Sequence, residues 1–278
     1  MYLKWLVSIL ICTYNAEKTI KKTLNSCLDQ TYKNFEILIH DDQSKDKTIE
    51  IIKWMNNNKI KIIESWKKLW PYGWLNFLLD NSKWEYIAIQ DHDDIWHPQK
   101  LEKQINYLNN HNWIVWCWSH WLEYYEANKQ WYIVKPNTKF LTHWVAHTSL
   151  VFRNSKKRYD TKTDYLSDWY FLKKFLSDNK PLIYVYPEVL TLHYNKKFWE
   201  NYSNFWFQLN TENVKRYFYI KWKSFSNIFR FIWFLFLQIL PKKIKNNVNY
   251  ITVKKYNNIQ SKEDLERDKI INCLLSYL

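Results

Sequence analysis

The sequence predicts an α/β protein with a mostly parallel, doubly wound sheet. Short apolar runs typical of buried parallel strands alternate with segments whose apolar residues recur at helical spacing. Clusters of acidic and polar residues also follow directly on the first, second and fourth of these apolar runs. Because ligands of such sheets bind beyond the carboxyl ends of the strands, these clusters mark the expected functional site.

The first part of the chain predicts a β-α-β-α-β-α-β order. The first strand is expected at Leu6–Thr13, and the first helix at residues 16–30, capped by Asn15. The further strands are expected at Phe35–His40, Ile60–Glu64 and Tyr86–Gln90. The further helices are expected at Thr48–Met55, behind a turn-and-cap cluster of Ser44, Asp46 and Thr48, and at Leu75–Leu79.

The second part of the chain is less regular. A helix is expected to open at Pro98, with Leu101, Ile105 and Leu108 on one face, and another at residues 164–176. Strands are expected at Ile114–Cys117, Ser149–Phe152 and Leu182–Tyr186. We divide the chain into a catalytic domain of residues 1–200 and a helical tail of residues 201–278. The tail contains an apolar, lysine-flanked stretch at 225–240, which predicts either a membrane-interface helix or a helix packed on the catalytic domain.

Composition restricts the classes of partner and compartment. The formal charge of +14 suits nucleic acid, an anionic substrate or an anionic membrane surface, and by itself does not choose among them. The lysines are scattered and no nucleic-acid-binding motif accompanies them, so we expect no nucleic-acid partner. The four cysteines form no Cys-x-x-Cys pair, and Met1 leads into a strand-like segment without a signal peptide. A reducing, cytoplasmic location is therefore expected.

The glycine and tryptophan contents are both abnormal. The chain has 1 glycine and 18 tryptophans, whereas a domain of this length ordinarily has about 7% glycine, or roughly 19 residues. Trp70 and Trp74, on either side of Pro71 and Gly73, stand where a turn or close backbone approach favours glycine. One hypothesis is that the gene reads UGA as glycine and that these tryptophans arise from standard translation. The alternative is a genuinely tryptophan-rich protein.

The strongest chemical motif is the acidic run Asp91-His92-Asp93-Asp94 after the fourth strand. Carboxylates that converge at a strand end are ligands for a hard divalent cation such as Mg²⁺ or Mn²⁺. Such a cation neutralises the charge that develops on a leaving diphosphate. Acidic loops that are merely solvated or that cap helices are common, so the run alone does not decide between these interpretations.

Two further clusters follow the first and second strands. Asp41 and Asp42 are candidates for accepting hydrogen bonds from a base or ribose. Thr13-Tyr14-Asn15 supplies a backbone turn and an aromatic ring that can border a nucleotide. Both clusters are also compatible with ordinary capping turns.

Taken together and in this order, the three clusters resemble the family 2 glycosyltransferases with the GT-A fold, of the bacterial cell-surface polysaccharide type. The resemblance covers roughly residues 6–200 and rests on Cys12–Asn15, Glu36–Thr48 and Asn76–Leu101. It implies a nucleotide-diphosphate sugar as donor and a divalent metal, Mg²⁺ or Mn²⁺, as cofactor. The implied donor-binding residues are Thr13, Tyr14, Asn15, Asp41, Asp42, Asn76, Asp91, Asp94 and His193. The implied metal ligands are Asp91 and Asp93, with Asp94 nearby as a contact to the donor sugar or to the metal.

The resemblance also implies a catalytic base, for which Asp168 is the candidate. Ser167-Asp168-Trp169 corresponds in position to the pair that opens a helix in the family, although Ser167 replaces a frequent glutamate and Gln43 a frequent glycine. The alternative role for Asp168 is a helix cap. His143 and His147 are interpreted as packing residues, with a place in the donor or acceptor pocket as the alternative. Glu188 and His193 are expected just after a strand.

The expected function is therefore an inverting transfer of one sugar to a hydroxyl of a glycan or lipid-linked acceptor, in surface polysaccharide or glycolipid synthesis. We expect the enzyme on the inner face of the cell membrane as a peripheral protein. The alternatives are a nucleotidyltransferase and a non-catalytic, membrane-associated nucleotide-sugar-binding protein. The loop after the first strand lacks the glycine-rich, basic phosphate loop of the former.

Overall fold

The structure is a computed structural model that describes residues 6–64, 71–126, 129–136, 146–155, 157–161, 170–171, 183–195 and 265–278. Most of the helix expected at 164–176 and all of the apolar stretch at 225–240 lie outside these residues.

The described elements match the predicted order of the first part of the chain. The strands are β1 (Val7–Thr13), β2 (Phe35–Asp41), β3 (Ile60–Ile62), β4 (Tyr86–Asp91), β5 (Ile95–Trp96), β6 (Trp116–Tyr125), β7 (Gln130–Val134), β8 (Val151–Arg153) and β9 (Ile183–Asn195). The helices are α1 (Ile20–Leu28), α2 (Thr48–Trp54), α3 (Pro71–Asn81), α4 (Lys100–Asn110) and α5 (Leu265–Leu275). A single 3₁₀ turn at His147–Ser149 precedes β8.

The nine described strands form one sheet in the order β3-β2-β1-β4-β8-β6-β9-β5, with β7 beside β6. The four strands from β3 to β4 are parallel, as predicted. The second half is mixed, because β8 is antiparallel to both β4 and β6 while β6 and β9 are parallel. The α/β class is thus confirmed, but the parallel arrangement holds for the first half of the sheet.

The register of the parallel strands aligns the predicted site clusters at one edge. Thr13 of β1 pairs with Asp41 of β2, and Cys12 of β1 pairs with Asp91 of β4. Since neighbouring strands lie about 4.8 Å apart, Asp41 and Asp91 are separated by roughly 10 Å across β1. The three clusters therefore border one continuous edge of the sheet.

The core consists of two apolar layers on opposite faces of the sheet. Ile9 and Ile11 of β1 pack in the layer that includes Leu24 of α1, whereas Leu10 packs in the layer that includes Leu78 of α3. Because β1 is covered on both faces, the residues from Ile9 to Cys12 are apolar in succession rather than alternating. This two-sided burial explains why the strands could be predicted from continuous apolar runs.

The beginning of α1 differs from the prediction. The N-cap position belongs to Thr19, and the N–H of Ile20 donates to the carbonyl of Ala16. Asn15 does not cap the helix, because it adopts φ = 48° and contacts the loop after β2 instead. The expected cap was wrong because a short turn separates Asn15 from the helix.

Helix α5, within the predicted tail, packs on the catalytic sheet. Ile271 and Leu274 are buried in a third apolar cluster with Ile95 of β5 and Leu192 of β9. Tyr277 donates from its hydroxyl to Asp29 at 2.7 Å, which connects the end of this segment to α1. Among the described residues, no helix has the length and apolar character needed to span a membrane.

Lys100, at the start of α4, is a fully buried lysine whose ammonium group donates to Gln104 and lies 4.2 Å from the centre of the Trp96 ring. Within the described residues it has no carboxylate partner; the nearby titratable groups are the thiols of Cys27 and Cys117. Burial lowers the pKa of Lys100 from 10.5 to about 7. The folded protein therefore releases this proton at a lower pH than the unfolded chain.

This pKa difference predicts pH-dependent stability. Between about pH 7 and 10.5 the unfolded chain binds more protons than the folded protein at Lys100, so the free energy of unfolding rises with pH over this range. Lys100→Met is expected to remove that rise and to be the more stable protein near pH 7. The free energy of unfolding is measured by urea denaturation between roughly pH 6.5 and 9.5, within the range where Lys100 titrates differently in the two states. Lys53→Met, at an exposed lysine, is the control. Parallel pH curves for wild type and Lys100→Met would contradict the prediction.

Candidate active site

The loops after β1 and β2 are tied together by hydrogen bonds. The N–H of Asn15 donates to Ser44 Oγ at 2.8 Å, and the N–H of Lys45 donates to Asn15 Oδ1 at 2.9 Å. The carboxylate of Asp41 accepts from both the N–H and the hydroxyl of Ser44. Ser44 thus orients Asp41 rather than capping α2, and the two loops form one rigid rim.

Two residues of this rim adopt left-handed backbone conformations, Asn15 at φ = 48° and Gln43 at φ = 61°. Asparagine tolerates this region because its side chain can hydrogen-bond locally. Glutamine adopts the same region at a steric cost, whereas glycine adopts it freely.

The remaining residues predicted on this rim differ in exposure. Tyr14 has 47% of its surface exposed and is available for stacking on a base. Asp42 is 9% exposed, and its N–H donates to the carbonyl of Thr13 at 2.9 Å. Thr13 is fully buried, and its hydroxyl has no hydrogen-bond partner among the described residues. The rim therefore combines an exposed ring with inward-facing polar groups.

The acidic segment, residues 91–94, forms a tight turn at the end of β4. The N–H of Asp94 donates to the carbonyl of Asp91 at 3.3 Å. His92 turns back toward β1, with Nδ1 at 3.4 Å from the carbonyl of Cys12 and Nε2 at 3.9 Å from Asp93 Oδ2. Asp91 and Asp93 are partly exposed, whereas Asp94 is fully buried.

The buried Asp94 is paired with His193 of β9. Its carboxylate oxygens lie 2.9 Å and 3.2 Å from His193 Nδ1, and Oδ1 also accepts the N–H of Tyr194 at 2.8 Å. The pairing depends on β5 and β9, which are antiparallel with Ile95 opposite Leu192. His193 was expected to follow a strand, but it lies within β9.

Charged neighbours control the protonation of His193. Burial alone lowers the pKa of this imidazole, but the carboxylates of Asp94 and Glu123 raise it, and the net pKa is well above its ordinary value. Glu123 Oε1 lies 4.0 Å from His193 Nε2. His193 keeps 32% of its side chain exposed, so it presents a positive charge at the site when no cation is bound.

Asp91, Asp94 and His193 together form a group that fits a divalent cation. Each offers one ligand atom, and these atoms lie within 4.8 Å of one another. Two carboxylates and an imidazole are a suitable set of ligands for Mn²⁺, and carboxylates alone suit Mg²⁺. Asp93, predicted as a ligand together with Asp91, is not in this group and stays a prediction. His193 was expected as a donor contact, and Asp94 as a contact to the donor sugar or to the metal.

The other predicted residues lie apart from this group or outside the described structure. Asn76 on α3 uses both ends of its amide to bond the backbone of Tyr159, at 2.8 and 2.9 Å, so donor binding by Asn76 stays a prediction. Asp168, Ser167 and His143 lie outside the described residues.

His147 is a packing residue. Burial lowers the pKa of His147 to about 4, and its Nε2 lies 2.6 Å from the hydroxyl of Tyr159. Glu188 pairs with Lys103 of α4.

Glu123 was missed by the sequence reasoning. It lies in the part of β6 beyond the predicted Ile114–Cys117 segment, and its carboxylate accepts from Asn195 and from the indole of Trp121. The strand-favouring aromatic and apolar residues Trp121, Leu122 and Tyr124 around it are the signal that could have extended the strand.

Comparison with known proteins establishes the class. The sequence model described as "Glycosyl transferase family 2" matches residues 8–178, more than half of the 278 residues. The chain belongs to glycosyl transferase family 2. The predicted resemblance is thereby confirmed.

Among curated relatives, the chain is 42% identical over 103 residues to the Escherichia coli protein WfaP, named as a UDP-Glc:alpha-D-GlcNAc-diphosphoundecaprenol beta-1,3-glucosyltransferase; the match covers 37% of this chain and 41% of WfaP. It is 37% identical over 139 residues to an uncharacterized glycosyltransferase of Rickettsia typhi, covering 49% of this chain and 42% of the relative. The chain thus spans less than half the length of these relatives.

Solved structures confirm the GT-A fold. Staphylococcus aureus TarS, residues 1–349 with UDP-GlcNAc, superposes with a TM-score of 0.65 at 17% identity over 98% of this chain and 80% of that chain. The mannosyltransferase PcManGT of Pyrobaculum calidifontis, solved with GDP-Man and Mn²⁺, superposes with a TM-score of 0.53 at 18% identity over 67% and 56%. At these identities the likeness concerns the fold.

Proposed function

We propose that this protein is an inverting, metal-dependent glycosyltransferase that moves one sugar from a nucleotide-diphosphate donor to an acceptor hydroxyl. The observation that carries the proposal is the meeting of Asp91, Asp94 and His193 at the sheet edge that also holds Asp41 and Asp42. The separation of roughly 10 Å between Asp41 and Asp91 suits a nucleoside at one end and a diphosphate at the other. Family membership supports this interpretation over a nucleotidyltransferase.

The nucleoside is assigned to the rim formed by the loops after β1 and β2. Tyr14 stacks on the base, while Asp41 and Asp42 accept hydrogen bonds from the base and ribose. Asp41 is held in one orientation by Ser44, which reduces the entropy lost on binding. Thr13 and Asn15 line the same rim, with Asn15 fixing the spacing of the two loops.

The diphosphate is assigned to the acidic segment and β9. Asp91 and Asp93, with Asp94 and His193 beside them, would hold Mg²⁺ or Mn²⁺, and a cation held there would supply positive charge opposite the departing diphosphate. Asp94 is oriented by Tyr194 and keeps His193 at the site. A protonated imidazole cannot coordinate a metal, so His193 would have to lose its proton to serve as a ligand of the cation.

Asp168 is assigned as the general base that activates the attacking hydroxyl of the acceptor. Its carboxylate takes the proton while the acceptor oxygen bonds to the anomeric carbon and the bond to the diphosphate oxygen breaks on the opposite face. Attack from the opposite face inverts the anomeric configuration. This role rests on the family resemblance of residues 167–172.

The acceptor is proposed to be a glycan or lipid-linked sugar of a surface polysaccharide or glycolipid. WfaP and WfgD of Escherichia coli are named for transfer to GlcNAc-diphosphoundecaprenol. A charge of +14 favours contact with an anionic membrane surface, which supports the proposal that the enzyme is a peripheral protein on the cytoplasmic face of the membrane. The apolar, lysine-flanked stretch at 225–240 is the candidate for this contact.

The proposal is tested by titrating a panel of UDP-, GDP- and dTDP-sugars with and without Mn²⁺ or Mg²⁺ in a calorimeter. We expect metal-dependent binding of one class of donor, lost in Asp93→Ala. Absence of binding to every nucleotide sugar would overturn the proposed function.

We further propose that most of the tryptophans are glycines in the native protein. Within the described residues no tryptophan has a positive φ, so the support comes from the side chains. Trp74 and Trp118 bury indole N–H groups that have no acceptor in the described structure, which is costly. Trp96 differs, because its N–H donates to the carbonyl of Thr148 at 2.9 Å.

Peptide mass spectrometry of protein from the native source tests this recoding. We expect glycine at positions 74 and 118, seen as a large decrease in peptide mass, and tryptophan at position 96 as an internal control. Tryptophan at both 74 and 118 would refute the proposal.

A further inference from the structure

Helix α1 has a buried polar face that no contribution to the apolar core explains. Thr23, Ser26 and Gln30 are each 0% exposed. Thr23 and Ser26 lie on one face of α1, and Gln30 follows two residues after the end of the helix. A helix that served only to cover the sheet would bury apolar residues here, because buried polar groups require compensating hydrogen bonds. Their partners therefore indicate what this face is for.

All three side chains bond to the backbone that contains or follows the acidic segment. The hydroxyl of Thr23 donates to the carbonyls of His92 and Asp94, both at 3.0 Å. Ser26 Oγ accepts the N–H of Trp96 at 3.2 Å. Gln30 donates to the carbonyl of His97 at 2.9 Å and accepts the N–H of Leu101 at 2.9 Å.

These bonds replace those that the segment cannot make within itself. Residues 92–101 run from the end of β4 through the two-residue strand β5 to the start of α4. Buried backbone groups in such a short connection must find partners elsewhere. Ser26 and Gln30 are also fixed within α1, since Ser26 donates to the carbonyl of Thr23 at 2.8 Å and Gln30 to that of Ser26 at 3.1 Å. The helix thus presents a preformed row of partners.

We infer that Thr23, Ser26 and Gln30 are positioning residues that hold the acidic segment in the geometry needed to bind the cation and the donor diphosphate. Thr23 acts on the segment itself, because its two acceptors flank Asp93. Ser26 and Gln30 fix β5 and the start of α4, which determines where Asp94 meets His193. This inference deepens the proposed function and rests on it for its catalytic consequence.

The test compares Thr23→Val, which keeps the shape and removes the hydroxyl, with Thr23→Ser, which restores it. Thr19→Val is the matched control, because the Thr19 hydroxyl reaches the carbonyl of Ala16 and not the acidic segment. In Thr23→Val we expect the Mn²⁺ concentration for half-maximal activity to rise and kcat to fall, each by roughly 10- to 100-fold, as for other residues that orient metal ligands. Thr23→Ser and Thr19→Val are expected to behave like wild type.

A structural measurement keeps the inference separate from the proposed function. Amide hydrogen exchange at Asp94, whose N–H bonds within the turn that Thr23 holds, is expected to accelerate in Thr23→Val, while exchange in β1 and β2 stays unchanged. The amide of Trp96, which bonds Ser26 Oγ, is the corresponding probe for Ser26→Ala. If wild type turns over no donor, the proposed function fails, and exchange together with direct Mn²⁺ titration still decides the positioning role. If Thr23→Val does not fold, Ser26→Ala is measured in the same way. Unchanged exchange and unchanged Mn²⁺ affinity in a folded variant would overturn the inference.

Discussion

Asp91→Asn is expected to lower kcat/KM by roughly 100- to 1000-fold, the loss seen when one preorganised charge-stabilising group is removed. Asp91 ends β4 level with Cys12 of β1 and offers a carboxylate oxygen to the group formed with Asp94 and His193. The amide retains the size of the side chain but loses its negative charge. We expect the affinity for Mn²⁺ to fall together with turnover, whereas the thermal unfolding temperature should change little because Asp91 is partly exposed.

Glu50→Gln provides the control for this substitution. Glu50 is an exposed carboxylate in the first turn of α2. Its substitution by glutamine replaces a carboxylate by an amide, as Asp91→Asn does, but away from the sheet edge. Steady-state kinetics at several Mn²⁺ concentrations measure both variants. An Asp91→Asn enzyme with wild-type turnover at limiting Mn²⁺ would show that this carboxylate does not bind the cation.

Asp168→Asn is expected to lower kcat by roughly 100- to 10,000-fold, the range that a general base contributes. The amide cannot take the proton of the acceptor hydroxyl, but it leaves the donor site intact. We therefore expect the dissociation constant for the donor to stay within about threefold of wild type, because the substitution removes no contact that binds the donor in the ground state. Rapid-quench transfer assays and calorimetric donor titration measure the two effects separately.

Asp164→Asn, on the same predicted helix, is the matched control for Asp168→Asn. A helix-capping role for Asp168 predicts a different result, namely a lower unfolding temperature with a modest loss of turnover. Equal kinetics for the two variants would exclude Asp168 as the base.

The first half of the fold could be predicted because its strands are buried on both faces. Leu10 and Ile11 face different apolar layers, so β1 appears as a continuous apolar run that is recognisable without any partner. The site carboxylates follow from the same logic, since residues directly after parallel strands meet at one edge. Asp41 and Asp91 were located in this way before any contact was known.

The second half could be predicted only in part, with α4 and portions of β6, β8 and β9 expected, for two physical reasons. Strand β5 has two residues and depends on pairing with β9, so local pattern does not reveal it. Strand β9 contains Pro187 and Glu188, which stand at a register shift against β6 and hide the continuation to His193. The contact between Asp94 and His193 joins residues far apart in sequence, and periodicity carries no information about such pairs.

The buried polar face of α1 shows a different limit. In an amphipathic pattern, Thr23, Ser26 and Gln30 indicate a solvent-exposed face, because polar residues usually face water. The structure buries them because the connection from β4 to α4 needs their hydrogen bonds. A sequence pattern cannot distinguish the two cases without knowing which segment packs against the helix.

Sugar transfer measured before and after removal of divalent cations tests the central claim most directly. The protein is expressed with UGA read as in its native source. Mass spectrometry then measures sugar transfer, from the nucleotide sugar that binds in the calorimetric panel, to a diphosphoundecaprenol-linked GlcNAc acceptor. We predict transfer that is abolished by EDTA, restored by Mn²⁺ or Mg²⁺, and absent in Asp91→Asn with either cation. Transfer at an unchanged rate in EDTA would contradict the account, because the carboxylates at the end of β4 would then have no metal-dependent role.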